Sequence, residues 1–592
     1  MRKRLEVLLP LHTKRRKVVG KLYRLTAGWL VRRGAKPVSY DKWMRQCEPA
    51  LWGQDAKKYA YRPLISIVVP TFNTPTAYWQ PLLASVLSQT YDNWQLCVAD
   101  ASTDAACSAA IQQSCKIDRR ISYVRLTKNY GISRNTNHAL KLVNGEFVAL
   151  LDHDDTLSEH ALAEVVRVLN IDRKTDIMYS DEDKLSDDGK RRLLPFFKPD
   201  WSPEMLLGIN YITHFLVIRT TLLKQVGGLR PKFDGAQDYD LLLRATEKSN
   251  RIVHIPKILY HWRLARGSTA KRVSEKDYAT IAGRLALEEA LKRRGIKAEA
   301  REIIDRPTNY RPVYTLPDKQ PKVSIIIPFK DKIEYLRQCV SSISEKSTYQ
   351  NYEILLIANN CTESATTNYL KELQRNPICR ILEWNHPYNF AAINNYGSTK
   401  AKGSYLVFLN NDTKILTPNW IEELIGVASQ PNIGAVGPML FYPNNLIQHA
   451  GVVLGMGGMA GHVFRFRHQD EWTDFGLTSW PRNVLAVTGA CLAVKARNFD
   501  LVGGFDERLR IGGNDVALCI SLYEKGLRNV FWPFAALMHY ENISVGSYDE
   551  NVPIEDYNRS LHYYRPYLKN GDPYFNPNLD IMNEQVGLRS KP

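Results

Sequence analysis

Three carboxylates within four residues, Asp152, Asp154 and Asp155, follow directly on the apolar run Phe147-Val148-Ala149-Leu150-Leu151. The run has the length of a buried strand, and a helical pattern opens beyond it at about Ser158. Carboxylates at the carboxyl end of a strand occupy the position where open α/β sheets bind ligands. So crowded, they repel one another unless a cation or solvent compensates, and oxygen ligands of this kind suit Mg²⁺ or Mn²⁺. The alternative is a solvated turn in which Asp155 or Thr156 caps the next helix. A second stretch repeats the pattern: Tyr405-Leu406-Val407-Phe408-Leu409 runs into Asn410-Asn411-Asp412-Thr413.

A further constellation follows each acidic turn. In the first copy Asp238, within Gly235-Ala236-Gln237-Asp238-Tyr239-Asp240, precedes His261 of Tyr260-His261-Trp262-Arg263 by 23 residues; in the second, Asp515 precedes His539 by 24. A single Asp at a helix start is ordinarily a cap, and a single His is ordinarily structural. Two copies in the same order make coincidence a poor explanation.

The elements that must position these residues alternate between strand and helix. Leu64–Val69 reads as a strand ending in Pro70-Thr71-Phe72-Asn73, and 79–88 as a helix. Strands at 96–98 and 123–125, a helix at 135–143 and the strand at 147–151 follow. The rhythm restarts with Val323–Ile327, Pro328 and a helix over 335–344. Pro70 to Asp154 and Pro328 to Asp412 are both 84 residues apart, the mark of a duplicated domain. Strands and helices in this order predict a mostly parallel α/β sheet in each copy. Between the copies, 277–294 predicts a helix closed by Gly295, then an extended strip punctuated by Pro307, Pro312, Pro317 and Pro321.

At 592 residues the chain exceeds one core, and 44% apolar with 24% charged residues is ordinary globular material. Nine cysteines without a CxxC pair fit a reduced, cytosolic protein. No apolar run approaches the ~18–20 residues of a membrane span. Pro10 and the basic cluster at 14–17 interrupt the early apolar run, so no signal peptide is expected. Residues 1–37 hold twelve Lys/Arg against one Glu, which is +11 of the formal +18. Their apolar positions from Val18 to Leu30 follow a helical period and include Trp29. A basic amphipathic helix suits an anionic membrane surface; a helix packed on the body is the alternative. No nucleic-acid motif accompanies the charge, so nucleic acid is not an expected partner.

Over about 63–272 and 321–550 the sequence resembles the family-2 glycosyltransferases of the GT-A fold. The motifs are Ile67-Val68-Val69-Pro70-Thr71-Phe72-Asn73, Leu151-Asp152-His153-Asp154-Asp155, Gly235–Asp240, and Tyr260–Arg263 with Gly267-Ser268-Thr269. In the second copy they are Val323–Pro328, Leu409–Asp412, Val487-Thr488-Gly489-Ala490 and Gly503-Gly504-Phe505-Asp506-Glu507. The tandem arrangement resembles bacterial enzymes of O-antigen or capsule synthesis, and the second copy their rhamnosyltransferase branch.

The resemblance implies two tandem GT-A domains and inverting transfer from nucleoside-diphosphate sugars to a lipid-linked or polymeric glycan. The transfer would be assisted by Mn²⁺ or Mg²⁺ at the cytoplasmic face of the membrane. It makes Asp152, Asp154 and His261 the cation-binding positions of the first site, and Asp412 and His539, with Asn410, those of the second. Asp238 and Asp515 match the family's general bases. Pro70, Thr71, Asn73, Asp100 and Asp152 would hold the first nucleotide sugar, and Pro328, Asn360 and Asn410 the second. On this reading the chain divides into a basic arm (1–62), a first transferase domain (63–272), a helical and Pro-rich linker (273–320), a second transferase domain (321–550) and a C-terminal tail (551–592).

The second copy departs from the pattern: Asn359-Asn360 follows its second strand, and Asn410 replaces the first Asp of the turn. Two rival readings stand beside this one: that one or both copies, the second above all, are non-catalytic sugar-binding or scaffolding modules, and that the chain is a nucleotidyltransferase. The latter lacks its expected Gly-rich phosphate loop after either first strand.

Overall fold

The computed structural model describes residues 38–52, 58–264, 273–316, 320–541 and 552–591. The basic stretch 1–37 and Gly267-Ser268-Thr269 lie outside the described residues.

The first half builds one nine-stranded sheet from β1 (Ile65–Thr71), β2 (Trp94–Asp100), β3 (Ile121–Arg125), β4 (Phe147–Leu150), β5 (Thr156–Leu157), β6 (Ile177–Leu185), β7 (Arg192–Phe196), β8 (Val217–Arg219) and β9 (Ile252–Arg263). Their order is β3-β2-β1-β4-β8-β6-β9-β5, with β7 beside β6. β3, β2, β1 and β4 run parallel. β1 is buried along its whole length, as a parallel strand covered on both faces must be, which is why it reads as a continuous Ile/Val run.

A two-stranded ribbon, β10 (Ala298–Ile303) and β11 (Arg306–Tyr314), precedes the second half. The Pro-punctuated strip, expected to be simply extended, therefore contributes a hairpin strand. Pro307 and Pro312 are tolerated there because β11 carries a ladder on one side only, its other side meeting Ile209 through a single bridge at Asn309.

The second half contains β12 (Val323–Phe329), β13 (Tyr352–Asn359), β14 (Cys379–Trp384), β15 (Tyr405–Leu409), β16 (Thr413–Ile415), β17 (Ile433–Phe441) and β18 (Ile447–His449). An insertion then carries two small hairpins, β19 (Val452–Leu454) with β20 (Ala460–His462), and β21 (Trp472–Thr473) with β22 (Gly476–Leu477). β23 (Arg482–Val484), β24 (Cys491–Lys495) and β25 (Arg528–His539) complete a ten-stranded sheet. Its order, β14-β13-β12-β15-β24-β17-β25-β16, matches that of the first half position for position.

The duplication extends to side chains. Ser66 donates to Gln95 and accepts from the Gly145 N–H; Ser324 donates to Glu353 and accepts from the Gly403 N–H. Asn137 exchanges two hydrogen bonds with the Leu229 backbone, and Asn395 does the same with Phe505.

In each sheet the chain steps from the first strand to one side, then returns to the other, so the strand order reverses between β1 and β4 and between β12 and β15. Ligands collect outside the carboxyl ends of such strands. The β1–β4 ladder stops at Val68 and Leu150, and the β12–β15 ladder at Ile326 and Phe408. Pro70 and Pro328, lacking an N–H, stand two residues beyond. Each pair of strands diverges there and opens a cleft.

A helix follows each sheet and packs on the loop before the helix-start Asp. Val273–Arg293 sets Tyr278 against Gly235; Ile554–Asn570 sets Ser560 and Tyr564 against Gly513. Both glycines have positive φ and no room for a Cβ, which would lie 2.3 Å and 2.2 Å from those neighbours.

The halves share buried contacts. Arg528 forms a two-pronged ion pair with Glu204, at 2.6 Å and 3.0 Å, and Asn483 bonds Ser202 and Glu204. The C-terminal stretch returns to the first sheet, where Asn576 Nδ2 donates to Asp181 and to the Lys198 carbonyl. All nine cysteines are free. Among the described residues no helix is long and apolar enough to cross a membrane.

His254, fully enclosed at this junction, lies 2.8 Å from Asp181 and 3.1 Å from Asp200. Burial alone would lower its pKa, but Asp181 and then Asp200 outweigh it and raise the pKa to about 9. The folded value thus exceeds the ordinary 6.5. The associated stability is complete below that value and is lost as pH rises through about 9. Urea unfolding should therefore show up to about 3 kcal/mol less stability at pH 9.5 than at pH 6.5, and His254→Gln should flatten this slope. An identical slope in the variant would assign the effect elsewhere.

Candidate active sites

The acidic turn leaves β4 at the mouth of the first cleft. Asp152 is open to the cleft on one side, and its backbone N–H donates to the Tyr260 hydroxyl at 3.2 Å. Enclosure by protein, then the charges of Asp154 and Asp238, push its pKa up to about 7. Asp155 turns inward and is fully buried. Its two oxygens accept from the Tyr260 hydroxyl and the Arg263 N–H, each at 2.6 Å. Burial, followed by Asp154 and Asp152, still raises it well above the carboxylate range. Neither Asp155 nor Thr156 caps a helix: Thr156 lies in β5, and the next helix starts at Ala161.

Asp152, Asp155 and His214 each offer one ligand atom, and the three atoms lie within 4.8 Å of one another. His214 is stacked flat on Tyr260, with centroids 4.2 Å apart, and meets Trp262 edge-on. Burial lowers its pKa to about 3, so it offers a neutral imidazole. Of the ligands expected from the sequence, this group contains Asp152 and leaves out Asp154 and His261. His261 faces Asp183, Nδ1 to Oδ1 at 2.6 Å. The Asp154 carbonyl accepts from Arg263 Nε at 2.7 Å. His214 sits in Asn210-Tyr211-Ile212-Thr213-His214, where no motif or spacing singles it out.

Asp238 is the second residue of the helix Gln237–Ala245. Its charge reaches Asp152, so helix start and strand end face the same cleft. Asn210 Nδ2 donates to its Oδ2 at 2.9 Å, and burial raises its pKa.

The residues expected to hold the nucleoside are tied to one another. Asp100 is completely buried and accepts from Thr71, Ser102, Ser108 and Tyr123. Burial would raise its pKa, but these donors outweigh it and lower it. Asn73, at φ +48°, receives the N–H groups of Thr103 and Asp104. Pro70 lies buried within β1. Here Asp100, Thr71 and Asn73 build the cleft wall.

In the second half, Asn410 and Asp412 both approach His539 Nε2, at 3.4 Å and 3.2 Å. Gln448 Oε1 fixes His539 Nδ1 at 2.6 Å. Asp515 is the second residue of the helix Asn514–Glu524; it accepts from the Gly489 N–H at 2.7 Å, and burial raises its pKa. Asn360 is exposed and donates to the His386 carbonyl. The register pairs Thr71 with Asp100 and Phe329 with Ala358, so the counterpart of Asp100 is Ala358, and Asn360 lies two residues beyond. The Thr–Asp pair of the first wall has become Phe–Ala, while Asp331 still accepts the Thr362 and Glu363 N–H groups as Asn73 accepts those of Thr103 and Asp104.

Residues 66–227 and 324–474 match the family described as glycosyl transferase family 2. Over 559 residues, 93% of this chain and 43% of the relative, the sequence is 42% identical to the O-antigen biosynthesis protein RfbC of Myxococcus xanthus. It is 37% identical to the uncharacterized protein y4gI of Sinorhizobium fredii over 536 residues, 89% of this chain and 59% of that protein. The chain thus spans about half the length of these curated relatives. Among solved structures, S. aureus TarS 1-349 in complex with UDP-GlcNAc aligns over 38% of this chain and 66% of its own, with 24% identity and a TM-score of 0.32.

Proposed function

Because the chain belongs to glycosyl transferase family 2, with the fold present twice, we propose that it transfers sugars from nucleoside-diphosphate donors to a growing bacterial surface polysaccharide. The observation that carries this reading is the pairing of Asp152 at a strand end with Asp238 at a helix start, close enough that the charge of Asp238 adds to the rise in the pKa of Asp152.

Asp238 is the base. Burial raises its pKa and so favours taking up a proton, against the smaller opposing effect of the Asn210 amide that donates to it. The acceptor hydroxyl gives its proton to Asp238 as its oxygen bonds to the anomeric carbon. The bond from that carbon to the diphosphate breaks on the opposite face, inverting the configuration. Asp152, Asp155 and His214 fit a divalent cation: two carboxylates and a neutral imidazole in one cluster suit Mn²⁺, or Mg²⁺ with added water. Such an ion would neutralise charge developing on the leaving diphosphate. Asp154 keeps the mouth of the cleft acidic, and His261 braces β9 against Asp183.

The second half repeats the arrangement with Asp515 as base and Asp412, Asn410 and His539 around the donor. A second reading has specific support here. Asp412 is paired with His539, and among the described residues no second carboxylate bonds to either, which favours a glycan-binding or scaffolding role for this half. The acceptor is a lipid-linked or polymeric glycan of the O-antigen or capsule kind. Residues 1–37, at +11 with Trp29 among their apolar positions, anchor the protein peripherally at the inner face of the cytoplasmic membrane.

Asp238→Asn should lower turnover about 10²–10⁴-fold while changing donor affinity little, as expected of a contact made in the transition state. The same exchange at Asp515 decides the second half: a product unchanged in length and linkage makes it a binding module. In Mn²⁺ titrations followed by electron paramagnetic resonance, His214→Ala should weaken binding more than His261→Ala; the reverse order would restore His261 as the ligand. Removal of residues 1–37 should release the protein from phosphatidylserine vesicles and spare transfer to a soluble acceptor. Salt-insensitive binding would refute an electrostatic anchor.

A further inference from the structure

One short loop joins the base to the cation-fitting cluster. At its start Asn210 Nδ2 donates to Asp238, and at its end His214 presents its imidazole to Asp152 and Asp155. Between them Thr213 takes φ +39°, a left-handed value that a β-branched residue avoids. No regular secondary structure holds these residues, so their conformation depends on what lies beneath.

Beneath the loop is a buried ion pair. Lys198 is 0% exposed and Glu182 3%, with Nζ and Oε2 2.9 Å apart. Lys198 donates to the carbonyls of Ile212, at 2.6 Å, and of His214. Glu182 Oε2 accepts from the Thr213 hydroxyl at 2.5 Å and from the His214 N–H at 3.3 Å. With a longer bond from Lys198 to the Thr213 hydroxyl at 3.4 Å, five hydrogen bonds from one ion pair reach three consecutive residues of the loop.

Such a pair is a poor device for stability alone. Replacing buried ions with apolar groups of similar volume is often neutral or stabilising, because desolvation costs about what the attraction returns. The second half supplies a natural comparison. β17 occupies the sheet position of β6, reads Ile433-Gly434-Ala435-Val436-Gly437-Pro438-Met439-Leu440-Phe441, and carries no charge. There Asp515 accepts from a backbone N–H, that of Gly489, where Asp238 accepts from the side chain of Asn210. The ion pair thus occurs in the half whose loop delivers side chains to the site.

We propose that the Lys198–Glu182 pair is the positioning element of the first site: it fixes loop 210–214 and thereby sets the spacing between the base Asp238 and the ligand His214. The chemical roles of Asp238 and His214 rest on the proposed function; the control of the loop does not.

The test uses the full chain with Lys198→Met and Glu182→Leu combined, so that neither member of the pair is left without the other, and Thr213→Val as a milder probe; Lys184, which also bonds Glu182 at 3.2 Å, keeps part of its side chain in solvent. Two readouts are taken: amide exchange of peptides covering 209–216, and Mn²⁺ affinity. In the folded double variant, exchange in this loop should accelerate at least about tenfold, and Mn²⁺ affinity should fall about 10–100-fold, as for other groups that orient metal ligands. Thr213→Val should move both in the same direction by less. Wild-type exchange and affinity in the folded double variant would overturn the proposal. If that variant does not fold, wild-type values in Thr213→Val overturn it and shifted ones support it. If the parent protein takes up no Mn²⁺ at this centre, the cation assignment fails, and loop exchange alone decides the positioning role.

Discussion

Three successive acids, Asp181, Glu182 and Asp183, lie buried in β6, and charges so placed persist only when paired and hydrogen-bonded. Each finds its partners in a different part of the chain. Asp181 takes His254 and, from the C-terminal stretch, Asn576. Glu182 takes Lys198 and the loop that ends in His214. Asp183 takes His261, Arg192 and Tyr40, and Arg192 continues to Glu48. Burial raises the pKa of Asp183, but His261 and Arg192 outweigh it and lower it. The need to compensate one strand therefore gathers the helix Tyr40–Gln46, the C-terminal stretch and the first candidate site around it.

The two halves share a frame and differ in what the frame contains. Strand order, the early end of the first ladder beside a proline, the Ser–Gly bracing and the Asn–backbone pairs all recur. In the first half β6 is ionic, the cleft wall is tied by Asp100, and the acidic turn offers its carboxylates with His214. In the second, β17 is apolar, Ala358 replaces Asp100, and Asp412 is held by a histidine that Gln448 fixes in turn. Duplication preserved backbone requirements because each residue there satisfies an obligatory donor or acceptor. Side chains facing the clefts carry no such obligation and were free to diverge.

The elements after each sheet belong to the sites as well. The helices Val273–Arg293 and Ile554–Asn570 press on the glycines just before Asp238 and Asp515, and neither glycine can acquire a Cβ without displacing them. The sequence reading gave these segments to a linker and a tail, because nothing in their periodicity says what they pack against.

The sequence alone determined the α/β alternation, the duplication and the acidic or amide turn that recurs 84 residues after each first proline. Those features are local: a buried parallel strand must be continuously apolar, a cleft-opening turn must end it, and both leave their period in the chain. Tertiary structure decided which groups meet. It turned Asp155 inward to Tyr260 and Arg263, moved His261 to Asp183, and brought His214 to Asp152 from a loop without a motif. It also folded Asp100 into the wall of the cleft. A histidine's partner depends on the curvature of the sheet and on the charges that must be neutralised around it, and neither is written in the spacing of residues along one strand.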